Sequence, residues 1–314
     1  MCSHSIPTGL VNIVETNGPK HGNRPTDHYL LTSPMPVLLA FTSALVYGVG
    51  DYFGGRASRH QQSIVVAATG QIVSLVLVAI TVLVMATAAP AASTWWWSGA
   101  GGIIGALGIA GLYHGFAHGD ITVVAPVSAV VGASVPVIVG LALGERPSAL
   151  ALIGIVCAVG AVALVSGAIG PHEHNTPPRI IALAVGVGAC FGMLFVCFER
   201  ASSTSGMWPL LIGRLASVPF LLVLAAASGV RPVRHRSSLQ IAVVAGVFDM
   251  GANALYLVAV RGGMLSIVAV VASLYPASTV LLAFVIDEER VSKWQGIGLA
   301  AAALALALVS LSRQ

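Results

Sequence analysis

Asp249, Asn253 and Tyr256 stand at i, i+4 and i+7 in an apolar stretch, so a helix there carries a carboxylate, an amide and a phenol along one face. Arg214 interrupts the apolar stretch before it. Counted back from the polar connection at 230–238, Arg214 and Asp249 lie 16 and 11 residues deep, or about 24 and 17 Å at 1.5 Å per helical residue. At those depths a guanidinium and a carboxylate on neighbouring helices can meet. An ionised side chain at the centre of a bilayer costs roughly 2.5–3.5 kcal/mol, so such a pair needs a partner, a cavity or both. Two readings follow. In one, Asp249 takes up a proton or a substrate amine while Arg214 tunes it or binds a substrate carboxylate. In the other, the two form a buried ion pair that sets helix register and touches no ligand.

Other groups invite the same pairing of readings. Tyr113, His114 and His118 end the third apolar stretch and Asp51 ends the first; a histidine near a carboxylate can pass protons around neutral pH, or simply sit at the headgroup boundary. His172-Glu173-His174 offers three ligand types, but as loop neighbours they match a solvated linker better than a closed metal site. Pro126, Pro136 and Pro276 remove backbone donors. The carbonyls they free, with Ser128, Ser134, Tyr275, Ser278 and Thr279 around them, line a cavity or are met within their own helices. Neither a metal nor a cofactor is expected.

The elements that must position these groups are helices in a membrane. Of the 314 residues 57% are apolar and 8% charged, and mean hydropathy is +0.92, against about 25% charged in a soluble domain. The net charge of +4 comes from basic residues scattered singly, which excludes a nucleic-acid footprint. Four cysteines, three of them in apolar runs, are no disulfide framework. Residues 1–34 read as a polar, disordered tail without a secretory signal, and Met35 directly before the first apolar run is an alternative to Met1 as the start of translation. Ten apolar runs follow, at 35–53, 63–89, 98–117, 121–143, 149–168, 180–198, 207–229, 239–260, 264–286 and 293–312. Each approaches the roughly 20 residues that cross a bilayer as a helix. Alternation of the kind a barrel needs is missing. Gly102, Gly105, Gly108, Gly111, Gly188 and Gly192 suit close helix packing. Trp95, Trp96 and Trp97 read as interfacial anchors ending the connection before the third span.

The chain repeats itself. Glu145–Ser166 aligns with Glu289–Ser310 at an offset of 144, with 11 identities in 22 positions, including Glu145/Glu289, Arg146/Arg290 and Ser148/Ser292. The same offset pairs Gly48 with Gly192, Arg56 with Arg200 and Tyr47 with Phe191, while 143 pairs Leu112-Tyr113 with Leu255-Tyr256 and Gln71 with Arg214. Each half holds five spans. Because five is odd, consecutive copies enter the membrane from opposite sides, a plan that places a substrate site near the midplane between the halves. The expected fold is therefore all-α integral membrane, ten transmembrane helices as two inverted five-helix repeats. The first repeat covers 35–168, a connecting loop 169–179 and the second repeat 180–312.

The segments from Leu112-Tyr113 to Gly144-Glu145-Arg146-Pro147-Ser148, and from Leu255-Tyr256 through Tyr275-Pro276 to Glu289-Arg290-Val291-Ser292, resemble the two EamA-type repeats of the drug/metabolite transporter superfamily. Tyr47-Gly48, Phe191-Gly192 and Arg214 fit the same pattern; Gln71 replaces the arginine in the first half. The resemblance implies a secondary carrier of small metabolites or drug-like compounds, often an exporter. It also implies a multi-pass protein of the cell (inner) membrane, with both termini cytoplasmic and a central cavity lined by both halves. That orientation leaves six basic residues inside and eight outside, a lean opposite to the positive-inside rule. The expected substrate-binding or coupling residues are Arg214, Asp249, Asn253, Tyr256, Tyr47, Tyr113, Tyr275 and Ser278. Expected partners are a small-molecule substrate, the lipid bilayer and coupled protons, with a homodimer left open. A non-transporting membrane scaffold or sensor is the alternative. An intramembrane enzyme fits less well, because no nucleophile has a base at workable spacing and no His-Glu-x-x-His occurs.

Overall fold

A chain this apolar must satisfy its backbone donors and acceptors within each span, because hydrocarbon offers them no water. The computed structural model describes residues 34–86, 88–119, 121–165, 177–201, 204–230, 236–286 and 293–311, and all its regular elements are helices. They are α1 (Met35–Ser58), α2 (Ser63–Met85), α3 (Ala92–His118), α4 (Ile121–Ala142), α5 (Ala149–Val165), α6 (Pro178–Arg200), α7 (Trp208–Ala227), α8 (Arg236–Gly262), α9 (Leu265–Ala272), α10 (Tyr275–Ile286) and α11 (Lys293–Leu311). Six of them, α1, α2, α3, α6, α7 and α8, are long and apolar enough to cross a membrane. The polar tail, His172-Glu173-His174, and the Glu289, Arg290 and Ser292 of the second repeat lie outside the described residues.

Several boundaries differ from the hydropathy reading, each for a local reason. The first helix runs to Ser58 rather than ending near residue 53. Gly54 and Gly55 do not stop it, because the rings of Tyr113 and Phe116 pack where their side chains would be. Trp95, Trp96 and Trp97 fall inside the first turns of α3, not in the connection, and remain exposed, with the Arg200 guanidinium 5.7 Å from the Trp97 ring. Pro136 leaves α4 continuous, whereas the ninth apolar run is broken into α9 and α10 at Ser273-Leu274. Pro276 brings no N–H to continue the ladder across that break.

The halves pack by exchange. α1 lies on α8 as α6 lies on α3; α2 lies on α8 as α7 lies on α3; α9 and α10 lie on α1 as α4 lies on α6. α2 meets α7, and α5 meets α11, directly. This is the pattern of a pseudo-twofold axis relating α1–α5 to α6–α11. Glycine lets the paired crossings close. Gly102 of α3 stands against the backbone of Gly213 in α7, and Gly246 of α8 against Gly70 in α2, where a Cβ would lie 2.6 Å from the Gly70 carbonyl oxygen. Gly102 and Gly246 are 144 residues apart, Gly70 and Gly213 143, so the two crossings are copies of one another. The interior between the halves is built from small and β-branched residues, among them Ala40, Ala259, Ile267, Val270 and Ala272. Large aliphatics such as Leu83, Val84 and Val156 face outward, the distribution that lipid requires.

Candidate functional site

Each half sends a charged or amide side chain toward the axis from its second helix. Gln71 in α2 and Arg214 in α7 occupy equivalent repeat positions and touch: Arg214 Nη1 donates to Gln71 Oε1 at 2.8 Å. Arg214 Nη2 donates to Asp249 Oδ2 at 2.7 Å, closing an ion pair whose side chains are 7% and 19% exposed. Further donors complete the group. Ser217 Oγ donates to Gln71 Oε1 at 2.7 Å, Ser74 Oγ to Asp249 Oδ2 at 3.2 Å, and Asn253 Nδ2 to Asp249 Oδ1 at 3.1 Å. Ser74 and Ser217 are themselves equivalent at offset 143. A buried ion pair persists where hydrogen bonds meet its remaining lone pairs, and here the carboxylate has them. Arg214 Nε, Asn253 Oδ1 and the Tyr47 hydroxyl remain without partners among the described residues.

These groups border a partly open cavity between the two halves. Its lining repeats across the axis. Tyr47, Asp51, Gly105, Ile109 and Ala129 from the first half line it, and so do Phe191, Phe195, Asp249, Asn253 and Ser273, each 144 residues later; Gln71 and Arg214 form a sixth pair at 143. Within the third helix of each repeat the structural offset is therefore 144. The counterparts of Asp249 and Asn253 are Gly105 and Ile109, not the Ala106 and Ala110 that the Leu-Tyr alignment indicates. Position is symmetric and chemistry is not: one half offers Tyr, Asp and Gln, the other Phe, Arg, Asp and Asn.

The other singled-out residues divide. Tyr275, at the break between α9 and α10, lines the cavity with its hydroxyl 3.1 Å from Ser128 Oγ and donating to Ala125 O at 3.3 Å. Tyr256 lies beyond the cavity, fully buried, stacked on Phe195 with centroids 4.1 Å apart. Its i+7 place puts it about 10 Å along the helix from Asp249. Tyr113 is buried against Gly54 and is not among the residues that line this cavity. Ser278 Oγ is engaged by backbone, donating to Tyr275 O at 2.9 Å and Ala44 O at 3.3 Å. Ser134 bonds back to Val130 O at 2.7 Å. His114 and His118 stack on each other at the exposed end of α3. Among the described residues no cluster of three His, Cys, Asp or Glu side chains is placed to hold a metal ion.

Asp51 is the cavity residue that the sequence reading placed at a helix end. It is the seventeenth residue of α1, about 11 Å from its C-terminal end, and it is 8% exposed. Glu145 does something else. Its carboxylate caps the N-terminus of α9, accepting from Leu265 N at 2.7 Å and Ser266 N at 3.0 Å, the placement that a helix N-terminus favours for an anion. Arg261 Nη2 donates to Gly206 O at 2.7 Å close by. Glu145 thereby fastens the first half to the second at one end of the bundle, while the Arg261 bond lies within the second half.

The EamA-like transporter family matches this chain twice, at residues 34–167 and 178–311. The chain belongs to that family. Its two matches meet the two halves that the packing relates by a pseudo-twofold axis, and a multi-pass membrane protein of the transporter type follows from the family together with the apolar helices. One solved crystal structure of a protein is similar over 88% of this chain and 96% of its own, with a TM-score of 0.72 and 15% identity; this likeness is one of fold. No curated protein matches the sequence.

Proposed function

We propose that this EamA-family chain is a secondary-active exporter of a small metabolite or drug-like compound, working by alternating access across ten transmembrane helices in the cell (inner) membrane. The observation that carries the reading is the axial cavity, lined by equivalent positions of both halves. Inverted repeats that adopt two unlike conformations can exchange them, and the site between them then faces each side in turn. In the conformation described, Glu145 on α9 fastens the two halves at one end. Arg214, Asp249 and Asn253 hold the substrate's polar part, Tyr47 and Tyr275 border its body, and a proton on Asp249 is the coupling ion. Tyr256, Tyr113 and Ser278 support these groups through packing.

Counterflow tests this. Proteoliposomes are preloaded with a cell metabolite extract and exchange is followed by mass spectrometry, for the native chain beside Asp249→Asn, with and without an imposed pH gradient. Selective exchange that the variant loses supports the carrier. Folded native protein that exchanges nothing under any gradient overturns it in favour of a scaffold, and exchange indifferent to the pH gradient removes the proton.

A further inference from the structure

The charge of the cavity does not close. Arg214 is committed to Asp249 and Gln71, which leaves Asp51 as a second carboxylate in the lining. Asp51 is more than nine-tenths buried and makes neither hydrogen bond nor ion pair with any described residue. It stands beside the ion pair, since Gly50 next to it packs on the backbone of Asp249, 3.4 Å from a Cβ position. Only one of the two carboxylates in this lining has a guanidinium to pair with, and the space is walled otherwise by neutral groups. A buried carboxylate without a partner holds a proton rather than a charge, and a cationic ligand that displaces that proton supplies the missing partner.

We propose that Asp51 is the anionic subsite for a monocationic organic amine. The ammonium sits against Asp51, and the apolar or aromatic body lies among Phe191, Phe195, Tyr47 and Tyr275. Phe195 is the repeat counterpart of Asp51, so the first half's carboxylate is answered across the axis by a ring whose face attracts a cation. Asn253 Oδ1, buried and unpartnered, is a second acceptor for the ammonium. A carboxylate on the ligand would meet Asp51 and Asp249 with only one guanidinium already in use, so simple anions and zwitterions are disfavoured relative to the amine. This inference names the substrate class of the transporter proposed above and rests on that reading only for flux, not for binding.

The experiment measures equilibrium binding to the purified full-length chain in nanodiscs at neutral pH. The probes are 2-phenylethylamine, tryptamine and cyclohexylethylamine, each against its carboxylate analogue, with phenylalanine as the zwitterion. Counterflow of the same amines is measured separately. The expected result is binding of at least one amine to the native chain and to Asp51→Glu, ~tenfold or more weaker binding to Asp51→Asn, and no binding of the carboxylates. Equal affinity for native and Asp51→Asn chains overturns the subsite. Failure of all three amines to bind does the same, and if counterflow of other metabolites persists the transporter reading stands without it. Amine binding without counterflow upholds the subsite and removes the transporter.

Discussion

The Arg214–Asp249 pair distinguishes a site from a strut. Arg214→Gln removes two charge-assisted bonds, to Asp249 at 2.7 Å and Gln71 at 2.8 Å, and leaves a carboxylate inside the bundle. Breaking a buried pair from one side costs about 3–5 kcal/mol. The lower end applies here, because Ser74 and Asn253 still donate to Asp249. Asp249→Asn leaves the guanidinium unpaired but bonded to Gln71, a loss of similar size. The double substitution restores neutrality, and a glutamine and an asparagine can hydrogen-bond across the same gap. Its expected cost is about 1 kcal/mol, since neutral replacement of a buried pair is often near-neutral. The double variant is therefore at least ~2 kcal/mol more stable than the sum of the singles. Reversible unfolding in mixed micelles, followed by tryptophan fluorescence, measures the cycle. Counterflow on the double variant completes it: it folds and does not transport. Additivity within about 0.5 kcal/mol refutes the coupling. Full transport by the stable double variant refutes its functional role.

Three further outcomes follow from the geometry. Gly246→Ala places a methyl against the Gly70 carbonyl and Gly102→Ala one against Gly213, so each loses about 1–3 kcal/mol in the same unfolding assay, whereas Gly99→Ala, with nothing within 4 Å, stays near native. Glu145→Ala strips the cap from α9 at a cost of about 1–2 kcal/mol; alkylation of a cysteine placed at the buried Ser266 becomes faster, and an unchanged rate would show that the cap fastens nothing. Tyr275→Phe loses its bonds to Ser128 and Ala125, about 1 kcal/mol, while the ring stays in the cavity wall. It is expected to fold and to transport with altered affinity, and native kinetics would remove the hydroxyl from the site.

Helices, the duplication and the meeting of Arg214 with Asp249 are legible in the sequence because each rests on one-dimensional information: hydropathy, offset and depth from a connection. Asp51 is read as a helix-end group and its place in the cavity is missed, because hydropathy ends the first span before Gly54-Gly55, whereas in the fold those glycines receive the rings of Tyr113 and Phe116 and the helix continues to Ser58. A helix extended by a turn carries a carboxylate from its end to its interior. The 144 offset held a clue, since it sets Asp51 against Phe195 inside the sixth helix. Tyr256 fails in the other direction. Face periodicity puts it in line with Asp249 but says nothing of depth, and Phe195 separates it from the cavity. The packing of α1 on α8 and of α6 on α3 is not legible in the order of the spans, because it exchanges helices between halves.

Alternating exposure of the axial cavity is the central claim, and accessibility from the two sides tests it most directly. Single cysteines at Ile109 and at its equivalent Asn253, or at Ala129 and Ser273, are introduced into a chain whose own cysteines are replaced by serine or alanine. They are labelled in sealed vesicles of known orientation by a membrane-impermeant thiol reagent applied to one side at a time. Labelling of each position from both sides, with the balance between sides shifted by a saturating transported ligand, is the predicted result. Labelling from one side only, under every gradient and ligand, would contradict it.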